Sequence, residues 1–197
     1  MSSRIEAIGF IQEDNAENIT RYRESLDSLL LTDENLRNRR ILDIGSADGG
    51  FARYVRSLGL NCEIVDLDTV WAPPPDAQAV RADAYHLPFR NNVFDLVVSS
   101  GCIPILCIGS KFTGEAQARQ NTKMSLSEAF RVTKPGGQVR MNSVPTIGSV
   151  NFAGHYEWEY FGLIAVADAV KDYVRLLNSR GNKAFVKTDT LIIYKKG

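Results

Sequence analysis

The sequence predicts a doubly wound α/β domain: a mostly parallel seven-stranded sheet with an antiparallel last strand and helices on both faces. Short apolar runs stopped by glycine or polar residues alternate with amphipathic stretches, and strands alternating with helices pair in parallel through right-handed crossovers. The chain then closes on two apolar runs with no helix between them, so one strand there must run antiparallel. A length of 197 residues, 44% of them hydrophobic, suits one compact core.

Each element follows from its residues. Residues 1–40 are polar with apolar residues at helical spacing, which predicts an N-terminal helical extension or cap of one or two helices. The main domain then spans 41–197. "RILDIG" is brief, apolar and stopped by glycine, hence a buried first strand. "GGFARYVRSLG" is a helix with Phe51, Tyr54, Val55 and Leu58 on one face and Gly59 as its stop. "NCEIVDLD" is the second strand, and the prolines of "WAPPPDA" make a rigid connection. "AVRADA" and "VFDLVVSSG" are the third and fourth strands. "MSLSEAFRVTKPGG" is a helix ended by Pro135, Gly136 and Gly137, and "QVRMNSV" is the fifth strand. "VADAVKDYVRLLNSRG" is an amphipathic helix, followed by two strands in "KAFVKTDTLIIYKKG".

Composition narrows the function. Lys plus Arg and Asp plus Glu number 23 each, so no net field gathers phosphate backbones, which argues against a nucleic-acid partner. Cys62, Cys102 and Cys107 lack a metal-ligand spacing and sit in apolar surroundings, as reduced core thiols do. No metal is expected. The N-terminus meets acidic residues before any long apolar run, unlike a signal peptide, and no apolar stretch approaches the ~20 residues of a membrane helix. The expectation is a cytoplasmic chain, monomer or homodimer, without a membrane partner.

In doubly wound sheets the ligand lies at the carboxyl ends of the strands. There the first strand ends in "DIGSADGG". Read as Gly45-x-Ala47-x-x-Gly50, it is one substitution from the dinucleotide fingerprint; read as Asp43-x-Gly45-x-Ala47-x-Gly49, it is one substitution from a methyl-donor loop. After the second strand stand Asp66 and Asp68, where a carboxylate can accept both hydroxyl hydrogens of a ribose. Asp43 tilts the choice. A buried carboxylate is a poor neighbour for a pyrophosphate but suits a cationic ligand.

"RADAYHLPFRNNVFDLVVSS" and "EAFRVTKPGG" complete the pattern. With the loop, they resemble class I S-adenosylmethionine-dependent methyltransferases, in the branch acting mostly on small molecules, with consensus blocks D-A-x-x-L-P-F, S-F-D and R-V-L-K-P-G-G. The match runs from residue 41 to about 143, in the family's order. It implies a Rossmann-like methyltransferase domain over 41–197 with S-adenosylmethionine as cofactor. By that resemblance Asp43, Gly45, Ser46, Ala47, Asp48 and Gly49 would surround the methionine part of the cofactor. Asp66 would hold the ribose, Leu67 would lie against the adenine, Asp83 would receive its amino group and the Ala84 amide would address the ring. Ser99, Ser100 and Gly101 would stand at the methyl-transfer face, while "KPGG" would be structural. Ala47 replaces the usual glycine and Thr133 the common leucine.

Each residue also has a plainer reading. A glycine-rich turn can be a tight connection, Asp68 a solvated strand end, and Asp83 an Asx-turn acceptor. His86 fits a surface or packing role. "NFAGHYEWEYFG", residues 151–162, either covers a substrate pocket or starts a helix packed on the sheet. In the first case His155 is the candidate general base, because its free pKa lies near neutrality, with Tyr156 and Glu157 beside it. The expected activity is methyl transfer to an O or N atom of a small-molecule acceptor. The alternatives are an RNA or protein methyltransferase, or an inactive cofactor-binding module.

Overall fold

The computed structural model describes residues 20, 22–69, 78–108, 114–145 and 157–197. Seven strands form one sheet in the order β3-β2-β1-β4-β5-β7-β6. The strands are β1 (Arg40–Ile44), β2 (Glu63–Asp68), β3 (Ala79–Arg81), β4 (Phe94–Ser99), β5 (Thr133–Met141), β6 (Lys183–Lys187) and β7 (Thr190–Tyr194). The first five pair in parallel, and β7 runs antiparallel to both β5 and β6. Strand order reverses between β1 and β4, which puts the ligand crevice at their carboxyl ends.

Side chains alternate along the central strands and build two cores. Ile41, Ile64, Leu96 and Val98 face one side, covered by Leu26, Leu29, Leu31 and Leu36 and by Phe51, Ala52 and Val55 of α3 (Gly50–Ser57). Helix α1 comprises residues 22–28 and α2 is Asp33–Leu36. Leu42, Ile44, Val65, Leu67, Val97 and Val139 face the other side, under α4 (Glu115–Val132) and α5 (Glu157–Ser179). Leu26 to Leu36 thus share a core with the sheet.

Several boundaries depart from the sequence reading. Helix α4 begins nine residues earlier than Met124, because the polar stretch 115–123 needs only the small buried residues Ala118 and Thr122 to seat it. Strand β5 already pairs at Thr133, opposite Phe94, and "KPGG" is a bulge inside it rather than a stop before it. Gly136 lies at φ 77°, and a Cβ on Gly137 would come within 2.9 Å of the Asp95 and Lys134 carbonyls. Leu58 does not join the buried face of α3; it caps the helix and is 37% exposed. Among the cysteines, Cys107 alone is buried, and Cys62 and Cys102 are half-buried. The connection 71–77 and the segment 151–156, including His155 and Tyr156, lie outside the described residues.

Candidate cofactor site

Asp43 and Asp66 are register partners on β1 and β2 and lie on one face of the sheet. Both are buried, at 4% and 2% exposure. Burial pushes the Asp43 carboxyl well above its ordinary value, and the nearby Asp66 and Asp68 raise it further. Burial also raises Asp66, to about 6. Both oxygens of Asp66 are buried with no hydrogen-bond donor among the described residues. Such an orphaned carboxylate carries a desolvation cost that a ligand bringing hydroxyl donors removes.

The loop between β1 and α3 spends most of its amides on the protein. Gly45 and Ser46 N–H donate to the Leu67 carbonyl at 2.8 and 3.2 Å, and Ala47 N–H donates to Asp68 Oδ2 at 3.1 Å. Gly49 N–H donates to the Ser46 carbonyl at 2.9 Å and Gly50 N–H to Asp48 Oδ1 at 3.2 Å. A phosphate cradle needs such amides turned toward the ligand. This loop instead lies beside three carboxylates, Asp43, Asp66 and Asp68, an arrangement that favours a cationic, hydroxyl-bearing ligand. The dinucleotide reading of the loop fails on that chemistry.

The glycines work differently from expectation. A Cβ on Gly45 would fall 2.4 Å from Cys102 Cβ, so this glycine lets the β1 and β4 loops close on one another. Ala47 stands at φ 49°, where a side chain costs about 1–2 kcal/mol. The loop keeps this left-handed turn even where the family's glycine is missing.

The other predicted residues divide. Ser99 is fully buried; its hydroxyl donates to the Ile44 carbonyl at 2.9 Å and accepts Ile103 N–H at 2.9 Å, so it binds the two loops together. Ser100 Oγ meets Asn142 Nδ2 at 3.1 Å, and Asn142 Oδ1 receives Gly101 N–H at 2.7 Å. Leu67 is core, and its carbonyl anchors the loop. Asp83 is exposed and accepts Tyr85 N–H at 2.9 Å, an Asx turn that leaves its second oxygen available; Ala84 beside it is half-buried. Asp48 is engaged by the protein itself, through Tyr22 and Arg53. Burial would raise its pKa, but hydrogen bonds from Arg53 and Tyr22 outweigh this and hold the carboxyl below the ordinary value.

Tyr22, Arg53 and Asn142 escaped the sequence reading, since their contacts join residues distant along the chain or on a helix face without a motif. The double glycine 49–50 was a signal for Tyr22, because the ring sits where a Gly50 Cβ would be, with Cζ 1.7 Å from that point. No thiol here is activated. Burial raises Cys62 and Cys107 and pushes Cys102 to about 12, so a thiolate nucleophile is disfavoured. Among the described residues no cluster of three or more His, Cys, Asp or Glu could hold a metal, and no helix is long and apolar enough to cross a membrane.

Comparison with known proteins matches this architecture. A phthiotriol/phenolphthiotriol dimycocerosates methyltransferase of Mycobacterium leprae is 29% identical over 140 residues, covering 65% of this chain and 44% of that protein. A demethylmenaquinone methyltransferase of Renibacterium salmoninarum is 32% identical over 117 residues, covering 56% and 44%. The chain therefore spans less than half the length of these curated relatives. Human N-acetylserotonin methyltransferase, solved in complex with S-adenosylmethionine, shares the fold at a TM-score of 0.56 and 15% identity, over 95% of this chain and 58% of that one. The family described as "Methyltransferase domain" matches residues 42–141, just over half of the sequence. The chain belongs to this methyltransferase-domain family, the class I S-adenosylmethionine-dependent methyltransferases.

Proposed function

We propose that the chain transfers a methyl group from S-adenosylmethionine to an O or N atom of a small molecule. One observation carries the reading: the buried carboxylate of Asp66, without a donor among the described residues, beside a loop most of whose amides are already bonded. S-adenosylmethionine fits that donor set, with two ribose hydroxyls to give and positive charge on its methionine part. Bound there, it would supply a methyl group on a sulfonium, open to in-line displacement.

The residues of the chain do the holding. Asp66 accepts the ribose hydroxyls, and Asp43 offers its carboxyl beneath the loop to the ammonium end, whose positive charge favours the ionised form. Gly45 to Gly49 shape the wall of the methionine part, and Leu67 keeps that wall in place through its carbonyl. Asp83 offers its second oxygen to the adenine amino group, with the Ala84 amide close by. Ser99 and Ser100 fix the β4 loop so that the acceptor approaches from the carboxyl end of β4. Alignment and exclusion of water account for most of what such a displacement requires. His155 remains the candidate base for an acceptor that must lose a proton. The names of the two curated relatives, which act on phthiotriol dimycocerosates and demethylmenaquinone, support a small-molecule acceptor.

Incubation of the protein with methyl-labelled S-adenosylmethionine and fractionated extract from its source cells tests the acceptor class. Label in the small-molecule fraction is expected, reduced at least tenfold by His155→Ala if a base is needed. Label confined to protein or RNA would contradict the reading.

A further inference from the structure

Asp48, in the loop after β1, is clasped by two partners from different elements. Tyr22 Oη donates to Asp48 Oδ1 at 3.0 Å, and Arg53 Nη2 donates to Asp48 Oδ2 at 2.7 Å. Arg53 Nη1 also donates to the Asp48 carbonyl, so one guanidinium holds both the side chain and the backbone of this residue. The Tyr22 ring occupies the notch left by Gly50, where any side chain would collide with it. Helix α1 is thereby seated on the N-terminus of α3, against the cofactor loop.

The far end of α1 is tied to the opposite wall of the crevice. Ser28 Oγ accepts Asn142 Nδ2 at 2.6 Å, and the Ser28 carbonyl accepts Thr190 Oγ1 at 2.6 Å. Asn142 in turn holds Ser100 and Gly101 of the β4 loop. Six residues of helix rise about 9 Å. Over that span α1 connects the loop after β1 with the loop after β4, the two walls between which the cofactor is placed. The sheet fixes where these loops begin, and the strap fixes where they stand.

We propose that Tyr22 is a positioning residue, which by bonding Asp48 holds the β1–α3 loop in its cofactor-accepting conformation and so sets cofactor affinity. This rests on the methyltransferase reading above. The loop contains a left-handed alanine at position 47 and therefore has a built-in tendency to relax. Losing a hydrogen bond to a charged acceptor lowers the occupancy of the held conformation, and the apparent affinity falls by the same factor.

Calorimetric titration with S-adenosylhomocysteine compares wild type, Tyr22→Phe, Asp48→Ala and the double variant. Tyr22→Phe retains the ring in its notch and removes only the hydroxyl. It is expected to weaken binding about tenfold. The double variant should be no weaker than Asp48→Ala alone, because alanine leaves the Tyr22 hydroxyl no acceptor at this position. A purely structural role would lower the unfolding midpoint while leaving the Kd of the folded protein unchanged. Wild-type binding with an unchanged Kd in both single variants overturns the proposal and leaves the methyltransferase reading standing. Absence of binding by wild type overturns both.

Discussion

Asp66 is where the site's chemistry concentrates. Its carboxyl is raised from 3.8 to about 6, so the folded cofactor-free protein keeps a proton that the unfolded chain has already released. Its contribution to stability is therefore greatest below pH 4 and is lost as pH rises through 6. A ligand that donates hydroxyl hydrogens to the carboxylate offsets that loss. The stabilisation gained from S-adenosylhomocysteine should accordingly be larger at pH 7.5 than at pH 5. Thermal unfolding with and without the ligand at the two pH values measures it; equal shifts would mean that Asp66 faces no donor. The neighbouring Asp48 shows how local a residue's role can be. Five positions after Asp43, in the loop that follows β1, it is held by Tyr22 and Arg53.

Between elements, the most conspicuous motifs turn out to be fasteners. All five donors of Arg131 are used: Nε and Nη2 on Glu128, Nη1 on the Phe89 carbonyl and Asn91, and Nη2 again on the Leu87 carbonyl. Glu128 also accepts Leu87 N–H at 2.8 Å. The "LPF" block is thus clasped to the "EAFRV" block. Lys134 of "KPGG" meets Asp95 of "VFD" at 2.9 Å, and Asp95 also receives Arg40 N–H. Arg131→Met strands Glu128 and two carbonyls, which should cost about 2–3 kcal/mol, or roughly 4–12 °C in melting temperature, while the cofactor Kd stays unchanged. Chemical denaturation beside a binding titration separates the two; a loss of affinity matching the loss of stability would contradict the division. The order of strands and helices was legible because apolar runs of four to six residues such as "ILDI" and "DLVVS" have few other folds available. The start of α4 was not, since a helix seated by Ala118 and Thr122 shows almost no apolar stripe. The Tyr22–Asp48 bond, 26 residues apart in sequence, leaves no periodic trace at all.

Across the whole molecule, zero net charge conceals a separation. At the carboxyl end of the parallel strands Asp43 and Asp66 are buried and Asp66 has no hydrogen-bond donor among the described residues, whereas at the amino end Arg131 and Lys134 are paired with Glu128 and Asp95. Lys195 Nζ donates to the Phe130 and Thr133 carbonyls, closing α4 from the end of the chain. Composition alone could exclude a uniformly basic surface but could not reveal this polarity, which depends on strand direction. The polarity suits a cationic, hydroxyl-bearing ligand at one end of the sheet and a base braced by paired charges at the other. The central claim is that Asp66 awaits the ribose of S-adenosylmethionine, and titration of that cofactor into wild type and Asp66→Ala tests it most directly. The account predicts saturable one-to-one binding by wild type and a loss of at least tenfold in the variant; equal affinity in both proteins would contradict it.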